Sequence, residues 1–278
     1  MNQARSILES VETELIGRRG VSFSIAARMQ QWKPEPGTAV CWRCAQSVGQ
    51  YETDGDGCAT CRGNKLPWSR AMRLGRYDGI IRDAVLDLKF RRWRLTGKQL
   101  GEAFGVEIAD RLDALGLRPE EVLISPIPMT RRRRIRRGID HTLVLAQGVS
   151  RSSGIRVVEL LRARNRAEQI GLSATDRTKN MRGAFFVPGS SQRRLKKLMK
   201  EEIRAILVLD DVRTTGATLE EGCRVLNRAI VEFCGEFRPE IWAGSVALAG
   251  DERKGGPAGN GRDELSTKGG EIEQEVDA

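Results

Sequence analysis

The sequence predicts an α/β fold with a mostly parallel sheet flanked by helices, preceded by a small cysteine-rich ribbon. Two short aliphatic runs, at 122–125 and 205–209, are typical of strands that are buried on both faces, as strands of parallel sheets are. Segments with apolar residues at near-helical spacing alternate with these runs. Four cysteines in two closely spaced pairs, between residues 41 and 61, predict the ribbon.

Composition places the chain among globular proteins. Its 278 residues suit one large domain, or a core domain with additions, and 40% of them are hydrophobic while 30% are charged. We find no apolar run long enough for a membrane span and no signal-peptide core near the N-terminus. We therefore expect a cytoplasmic protein, in whose reducing surroundings cysteines serve as metal ligands or buried thiols.

The charge of the chain is unevenly distributed. The formal net charge is +10, yet the stretch from Gly250 to Ala278 holds eight acidic and four basic residues, so the remainder carries +14. Such a charge attracts polyanions or phosphorylated ligands over a distance, and less so at high salt. Nucleic acid is one candidate partner, and a solvated basic surface is the alternative.

The stretch from Ala205 to Thr218 carries the most specific signal. Five apolar residues end in Asp210 and Asp211, and a run of Thr, Gly and Ala then leads into a helical pattern. Thr218, followed three residues later by Glu221, fits a capping box at the start of that helix.

These residue types together predict a site for a ribose phosphate. Carboxylates at the carboxyl end of a strand accept hydrogen bonds from sugar hydroxyls. Small residues at a helix N-terminus let backbone N–H groups approach a phosphate, which the helix dipole also favours. The alternative is that the acids only cap the helix. We expect Asp210 and Asp211 to bind the ribose hydroxyls, and the following loop to bind the 5-phosphate through Thr214, Thr215, Gly216, Ala217 and Thr218.

Two Cys-x-x-Cys pairs predict a structural zinc site. Thirteen residues that include several glycines separate them, which lets two tight turns face each other. Four sulfur ligands close a tetrahedral Zn²⁺ site and leave no open position for catalysis. Four unligated thiols or a redox pair are the alternative. The expected ligands are Cys41, Cys44, Cys58 and Cys61.

Two basic segments lie between the ribbon and the strand predicted at 122–125. We interpret the first, Ser69–Arg76, as a connection out of the ribbon, and expect a helix after Asp78 and another near Leu95–Leu115. The second, Lys89–Arg94, contains Phe90 and Trp93. It could bind single-stranded nucleic acid by stacking and phosphate contact, but a helix end with both aromatic residues buried is the favoured interpretation.

An arginine-rich run follows the strand predicted at 122–125. Pro126-Ile127-Pro128 forces a loop there, and six arginines lie between Thr130 and Gly138. Arginine forks suit phosphate oxygens, so a pyrophosphate site and a solvated or nucleic-acid-facing helix are equally supported. Arg131 and Arg137 are the candidates for pyrophosphate. His141, the single histidine, is interpreted as a packing or surface residue rather than a base.

The remaining segments complete the expected architecture. An amphipathic helix is predicted at 2–16, and a long mobile loop that could close over a ligand is predicted at 162–182. The tail from Gly250 has the composition of a disordered segment. Other expected elements are a helix at 139–149, strands at 155–161, 184–187 (returning to the sheet) and 241–249, and a basic helix or insertion at 192–202.

Two resemblances refine these expectations. The string from Asp210 to Thr218 resembles the signature of type I phosphoribosyltransferases, which bind 5-phosphoribosyl-1-pyrophosphate through two acidic residues and a Thr-Thr-Gly-x-Thr loop. The order of motifs resembles the ComF family, phosphoribosyltransferase-like proteins linked to natural competence, over roughly residues 38–249. The motifs are the four-Cys ribbon, Pro-x-Pro, Arg137-Gly138, Gln169-x-x-Leu172, Arg177-x-x-Asn180-x-x-Gly183-Ala184-Phe185 and the ribose-phosphate loop.

These resemblances imply a type I phosphoribosyltransferase fold with an N-terminal zinc ribbon. They also imply binding of phosphoribosyl pyrophosphate with Mg²⁺ and a role in handling incoming single-stranded DNA together with the DNA-uptake machinery. One departure concerns the residues after Gly138. The family usually continues into Phe-Asn-Gln, where this chain has Ile139, Asp140 and His141.

Two functional hypotheses remain open at this stage. The chain is either a binding module that keeps the ligand pocket and contacts single-stranded DNA, or an active phosphoribosyltransferase of nucleotide metabolism or salvage with an unidentified acceptor. No catalytic residue is assigned. The expected divisions are an N-terminal extension at 1–37, the zinc ribbon at 38–66, the phosphoribosyltransferase-like domain at 67–249 and the acidic tail at 250–278.

Overall fold

The computed structural model describes residues 32–35, 39–49, 51–91, 94–164, 181–198, 201–233 and 238–250. Three sequence-based expectations fall outside these ranges. They are the helix at 2–16, the tail beyond Gly250, and most of the loop at 162–182 together with its Gln169–Asn180 motif.

The described elements alternate between strands and helices after the ribbon. The strands are β1 (Thr53–Asp54), β2 (Gly57–Cys58), β3 (Arg70–Arg76), β4 (Val122–Pro126), β5 (Arg156–Val157), β6 (Arg162–Ala163), β7 (Phe185–Phe186), β8 (Ala205–Arg213) and β9 (Glu240–Leu248). The α-helices are α1 (Gly79–Leu86), α2 (Arg94–Ala114), α3 (Arg131–Arg137), α4 (His141–Ser153), α5 (Gly189–Leu198) and α6 (Ala217–Phe233). A π-helical turn, Asp87–Arg91, extends α1, and a 3₁₀ turn, Pro119–Glu121, precedes β4.

A five-stranded parallel sheet forms the centre of the fold. Its strand order is β3-β9-β8-β4-β5, and every neighbouring pair runs parallel. The predicted strands at 122–125, 205–209 and 241–249 are all confirmed, and β8 lies in the middle of the sheet. The α/β fold class is therefore confirmed. In such a sheet, ligands bind beyond the carboxyl ends of the strands, where β4 and β8 lie side by side.

The sheet separates two apolar cores. Because side chains of a strand alternate between faces, Leu207 and Leu209 lie in the core shared with α1, α2 and α4. Ile206 and Val208 lie in the opposite core, which is shared with α5 and α6. All four side chains are fully buried, as expected for a strand covered by helices on both faces.

Close packing of α2 on α4 fixes the start of α4. A methyl group added at Gly101 would lie 2.2 Å from the carbonyl oxygen of Leu145, and one added at Gly148 would lie 2.3 Å from that of Lys98. The two backbones therefore touch without an intervening side chain. This contact holds α4, and with it His141 at its first position, rigidly against the sheet.

The ribbon is attached along the edge strand β3. The backbone N–H of Ala71 donates to the carbonyl of Trp42 at 2.9 Å, and the Trp68 indole donates to the carbonyl of Arg43 at 3.0 Å. Arg73, in the middle of β3, is buried and forms an ion pair with Glu35. The ribbon thus covers an otherwise open sheet edge.

The expectation that 69–76 is only a connection is therefore wrong. Three arginines obscured the strand pattern, because the partner that permits Arg73 to be buried lies 38 residues away in sequence. Two further corrections concern short strands. β7 pairs antiparallel with β6 and does not return to the main sheet, and the strand expected at 155–161 is limited to Arg156–Val157.

None of the helices among the described residues combines the length and the apolar character required to cross a bilayer.

Candidate functional site

Asp210 and Asp211 lie in the carboxyl-terminal part of β8, which extends beyond the predicted end of the strand to Arg213. Their side chains leave opposite faces of the sheet, because residues of a strand alternate. Asp211 continues the row of Leu207 and Leu209, on the side of α1 and α4. Each carboxylate accepts a hydrogen bond from the next backbone N–H, at 2.8 Å for Asp210 and 2.6 Å for Asp211.

Lys89 forms an ion pair with Asp211. Its Nζ lies 3.0 Å from Asp211 Oδ2, and both side chains are largely buried. The π-helical turn after α1 brings the lysine to the end of β8, and such turns are frequent at functional sites. Sequence reasoning placed Lys89 in a basic cluster and missed this contact. The only signal was its position directly after an apolar helix face.

The expectation that Phe90 is buried is wrong. Its side chain is 71% exposed, because the π-helical turn directs Lys89 toward the sheet and its neighbour toward solvent. Trp93, the other aromatic residue of this cluster, lies outside the described residues.

Burial of the acid pair is electrostatically unfavourable. Desolvation, followed by repulsion from the neighbouring Asp211 charge, raises the pKa of Asp210, which comes to about 7. The hydrogen bond from the Asp211 N–H, Lys89 and Arg133 act in the opposite direction, but burial dominates. A donor hydroxyl or a cation placed beside this carboxylate would therefore be bound favourably.

The loop after β8 ends in a glycine turn that leads directly into helix α6. Gly216 adopts a φ of +83°, a conformation that favours glycine, and its carbonyl accepts the first helical hydrogen bond, from Glu220 N at 2.8 Å. Helix α6 therefore begins at Ala217, and the first N–H groups of a helix have no acceptor within it. Thr214 and Thr215 are exposed beside them.

The predicted capping box of Thr218 and Glu221 is wrong. Thr218 lies within the first turn of α6 rather than before it. Thr215 lies closer to a capping position, since its Oγ1 accepts from Ala217 N at 3.4 Å. Glu221 instead accepts from the backbone N–H of Gly183 at 2.6 Å, so it anchors the chain that follows the predicted 162–182 loop.

The arginine-rich run forms helix α3. Thr130 caps it by accepting from Arg133 N at 3.3 Å, and Gly138, at a φ of +74°, ends it. Arg131 lies exposed in the first turn and Arg137 is partly buried in the last. Arg134 pairs with Asp140 at 3.2 Å, while the Asp140 carboxylate also caps α4 by accepting from Leu143 N.

His141 is completely buried at the first position of α4. Its Nδ1 lies 3.1 Å from a terminal nitrogen of Arg137. Burial lowers the pKa of His141 to about 4, Arg137 and Lys89 lower it as well, and the charge of Asp211 opposes them. The imidazole is therefore neutral near pH 7 and lies within electrostatic reach of the Asp211–Lys89 pair.

The structure thus brings several of the predicted residues to one end of the sheet and adds two. Asp210, Asp211 and the 214–218 loop follow β8, and α3 follows β4, the neighbouring strand. Lys89 and His141 connect the two groups, which sequence reasoning did not foresee. His141 is the single histidine and belongs to no motif, and Lys89 showed only its position after an apolar helix face, so neither role was predicted.

The four ribbon cysteines form a compact cluster. Their Sγ atoms all lie within 4.8 Å of one another, and the pairs Cys41–Cys61, Cys44–Cys58 and Cys58–Cys61 are separated by 3.8, 3.4 and 3.7 Å. Gly57 makes room for them. Its φ is +92°, and a methyl group there would lie 2.5 Å from the Cys61 sulfur.

This cluster fits a tetrahedral zinc ion. Zinc–sulfur bonds of about 2.3 Å place neighbouring sulfurs about 3.8 Å apart, close to the separations found here. A hydrogen bond with Cys44 lowers the pKa of Cys41 to about 4, while the same contact raises the pKa of Cys44. Thiolate is the form of cysteine that binds metal, so binding of zinc here would release the protons that the thiols still hold.

We expect about one zinc ion per purified chain, because four thiolates complete the coordination shell. Replacing Cys41 and Cys44 with serine should remove it, as measured by elemental analysis, and should destabilise the ribbon. Cys223→Ser is the matched control, since this buried thiol lies on α6 away from the cluster and should leave the zinc content unchanged. Full zinc content in the double variant would rule out the site.

No family model matches the chain. Several individual proteins, however, are similar to it in sequence. Competence protein F of Haemophilus influenzae is 26% identical over 194 residues, which are 69% of this chain and 80% of that protein. DNA utilization protein YhgH of Escherichia coli O6:H1 is 30% identical over 173 residues, 62% of this chain and 71% of that protein. YhgH of Salmonella typhi is 28% identical over 192 residues, 68% of this chain and 78% of that protein.

Among these relatives, YhgH of Escherichia coli O6:H1 supports a family assignment. Because the identity reaches 30% and the match covers 71% of that relative, the likeness extends well beyond one short motif. The chain belongs to the ComF family.

Proposed function

We propose that the chain binds phosphoribosyl pyrophosphate together with Mg²⁺ at the carboxyl ends of β4 and β8. The observation that carries this proposal is the pair of buried Asp210 and half-buried Asp211 at the end of the central strand, followed shortly by a helix N-terminus. Buried carboxylates call for hydrogen-bond donors or cations, and the helix terminus calls for an anion. The hydroxyls of ribose 5-phosphate would donate to the carboxylates, and its phosphate would bind at the helix N-terminus that follows them along the chain.

Each part of the ligand then has a set of residues. Asp210 and Asp211 accept from the ribose hydroxyls, and the 5-phosphate binds the 214–218 loop through N–H and hydroxyl groups. Arg131 and Arg137 of α3 are the proposed pyrophosphate ligands. Mg²⁺ would neutralise the pyrophosphate and retain mostly oxygen and water ligands.

We further propose that this site serves the uptake or use of DNA. The names of the relatives, competence protein F and DNA utilization protein, support this role. A division into the ribbon at 38–66 and the ligand-binding domain at 67–249 is part of the same proposal. The ribbon then acts as a scaffold that covers the β3 edge and lies apart from the acid pair in sequence and in fold.

Asp210→Asn combined with Asp211→Asn should abolish binding of phosphoribosyl pyrophosphate in the presence of Mg²⁺. The amides remove both negative charges and half of the acceptor oxygens that would face the ribose. Isothermal titration calorimetry measures the loss directly.

The matched control neutralises two exposed acids of α2, Asp110→Asn with Asp113→Asn, which changes the net charge equally but lies outside the proposed site. It should retain wild-type affinity. If the Asp210→Asn, Asp211→Asn variant bound phosphoribosyl pyrophosphate as tightly as this control does, the acid pair would not be the ligand site.

Single-stranded DNA is a second proposed ligand, supported by the exposure of Phe90. This side chain and Ile135 of α3 are 71% and 73% exposed. Exposed arginines, Arg134 and Arg136, flank Ile135, and Arg94, shortly after Phe90, is exposed as well. An exposed aromatic ring beside cationic side chains is the arrangement that stacks bases and contacts phosphates.

Phe90→Ala should weaken single-stranded DNA binding by roughly 1–3 kcal/mol, the loss of one stacked base. Affinity of the wild type should also fall with salt, by about 0.7 logarithmic units per phosphate contact for each tenfold increase. Fluorescence anisotropy with a labelled oligonucleotide measures both.

Tyr51→Ala is the control, because Tyr51 is an exposed aromatic residue of the ribbon. If the Tyr51 variant loses affinity while the Phe90 variant keeps it, the DNA surface lies on the ribbon and the proposal for Phe90 is wrong.

A further inference from the structure

The contact between His141 and Arg137 defines the protonation of the imidazole. A guanidinium group can only donate hydrogen bonds, so the ring nitrogen 3.1 Å away, Nδ1, must accept. A neutral imidazole that accepts at Nδ1 carries its proton on Nε2. This tautomer agrees with the lowered pKa of His141, which keeps the ring neutral near pH 7.

The second ring nitrogen, Nε2, is buried and has no hydrogen-bond partner among the residues that the structure describes. Leaving a buried donor unpaired destabilises the fold, so packing alone would favour an apolar side chain at this position. The benefit of histidine must therefore lie at Nδ1, in its contact with Arg137.

A neutral acceptor has a particular consequence for arginine. A carboxylate at this position would orient the guanidinium but also cancel its charge, as Asp140 does for Arg134 at 3.2 Å. Imidazole orients the group without itself adding a negative charge beside it. Arg137 lies on α3, which follows β4, and β4 neighbours β8 in the sheet, so the oriented guanidinium lies at the same end of the sheet as the acid pair. The charges of Asp211 and Lys89 both act on the pKa of His141.

We propose that His141 is a positioning residue that holds Arg137 in the orientation needed to bind the pyrophosphate group of the ligand. This inference rests on the proposed function, because it names the part of the ligand that Arg137 meets. The rigid packing of α4 on α2 keeps the imidazole in place, and the turn at Gly138 brings Arg137 back onto it. Arg137 contacts the anion, and His141 acts through Arg137.

The test compares two ligands that differ only in the pyrophosphate group. Phosphoribosyl pyrophosphate with Mg²⁺ and ribose 5-phosphate are titrated into the full-length wild type and into His141→Leu. We expect the substitution to weaken phosphoribosyl pyrophosphate binding about tenfold, the contribution of one hydrogen bond to a charged group. Ribose 5-phosphate affinity should change by less than about twofold. A general structural defect would weaken both ligands alike, and that result would overturn the proposal.

Two further variants separate positioning from packing. His141→Asn places an amide oxygen near the former Nδ1 position, so it should restore most of the affinity although it leaves more space than leucine does. In an Arg137→Met background, His141→Leu should cause no additional loss, because the residue it positions is gone. Additive losses, or an asparagine variant as weak as the leucine variant, would contradict the inference.

Failure of the proposed function is a distinct outcome. If the wild type binds neither ligand, the ribose-phosphate site itself is wrong. If the wild type binds both ligands and His141→Leu does not discriminate between them, the site stands and only the role of His141 is refuted.

Discussion

The burial of two adjacent carboxylates at the end of the central strand is the constraint on which the rest of the site depends. An acid covered on both faces of a sheet loses hydration, and its neighbour adds repulsion, as the raised pKa of Asp210 shows. Lys89 offsets part of this free-energy cost through its ion pair with Asp211. The π-helical turn places Lys89 where it can form that contact. The fold therefore holds a stabilising cation beside a pair of acids that favours further donors.

The surrounding architecture keeps this unfavourable arrangement in place. Leu207 and Leu209 on one face, and Ile206 and Val208 on the other, fasten β8 between two cores. The glycine contact between α2 and α4 fixes the position of α4, and the turn at Gly138 joins α3 to the start of α4 at His141. Packed strands and helices therefore hold the two like-charged carboxylates next to each other. Holding charged groups in place by packing is the usual condition for a preorganised binding site.

Sequence reasoning predicted the features that depend on local pattern. The buried run of β8, the acid pair, the glycine turn and the cysteine spacing were all predicted. The strands expected at 122–125, 205–209 and 241–249 and the cysteine cluster are confirmed. Features that depend on distant partners were missed. Strand β3 was obscured because Arg73 is buried only with the help of Glu35, and Phe90 was misjudged because the π-helical turn reverses which residue faces the sheet. His141 showed its importance only through Arg137 and Asp211, which other elements bring near.

Hydrogen–deuterium exchange of the full chain tests the central claim most directly, since it locates the ligand without any substitution. Saturating phosphoribosyl pyrophosphate with Mg²⁺ should slow exchange at the backbone amides of 214–218, whose N–H groups would bind the 5-phosphate. Exchange in the ribbon at 41–61 should stay the same. Unchanged exchange at 214–218 in the presence of bound ligand would contradict the proposed site.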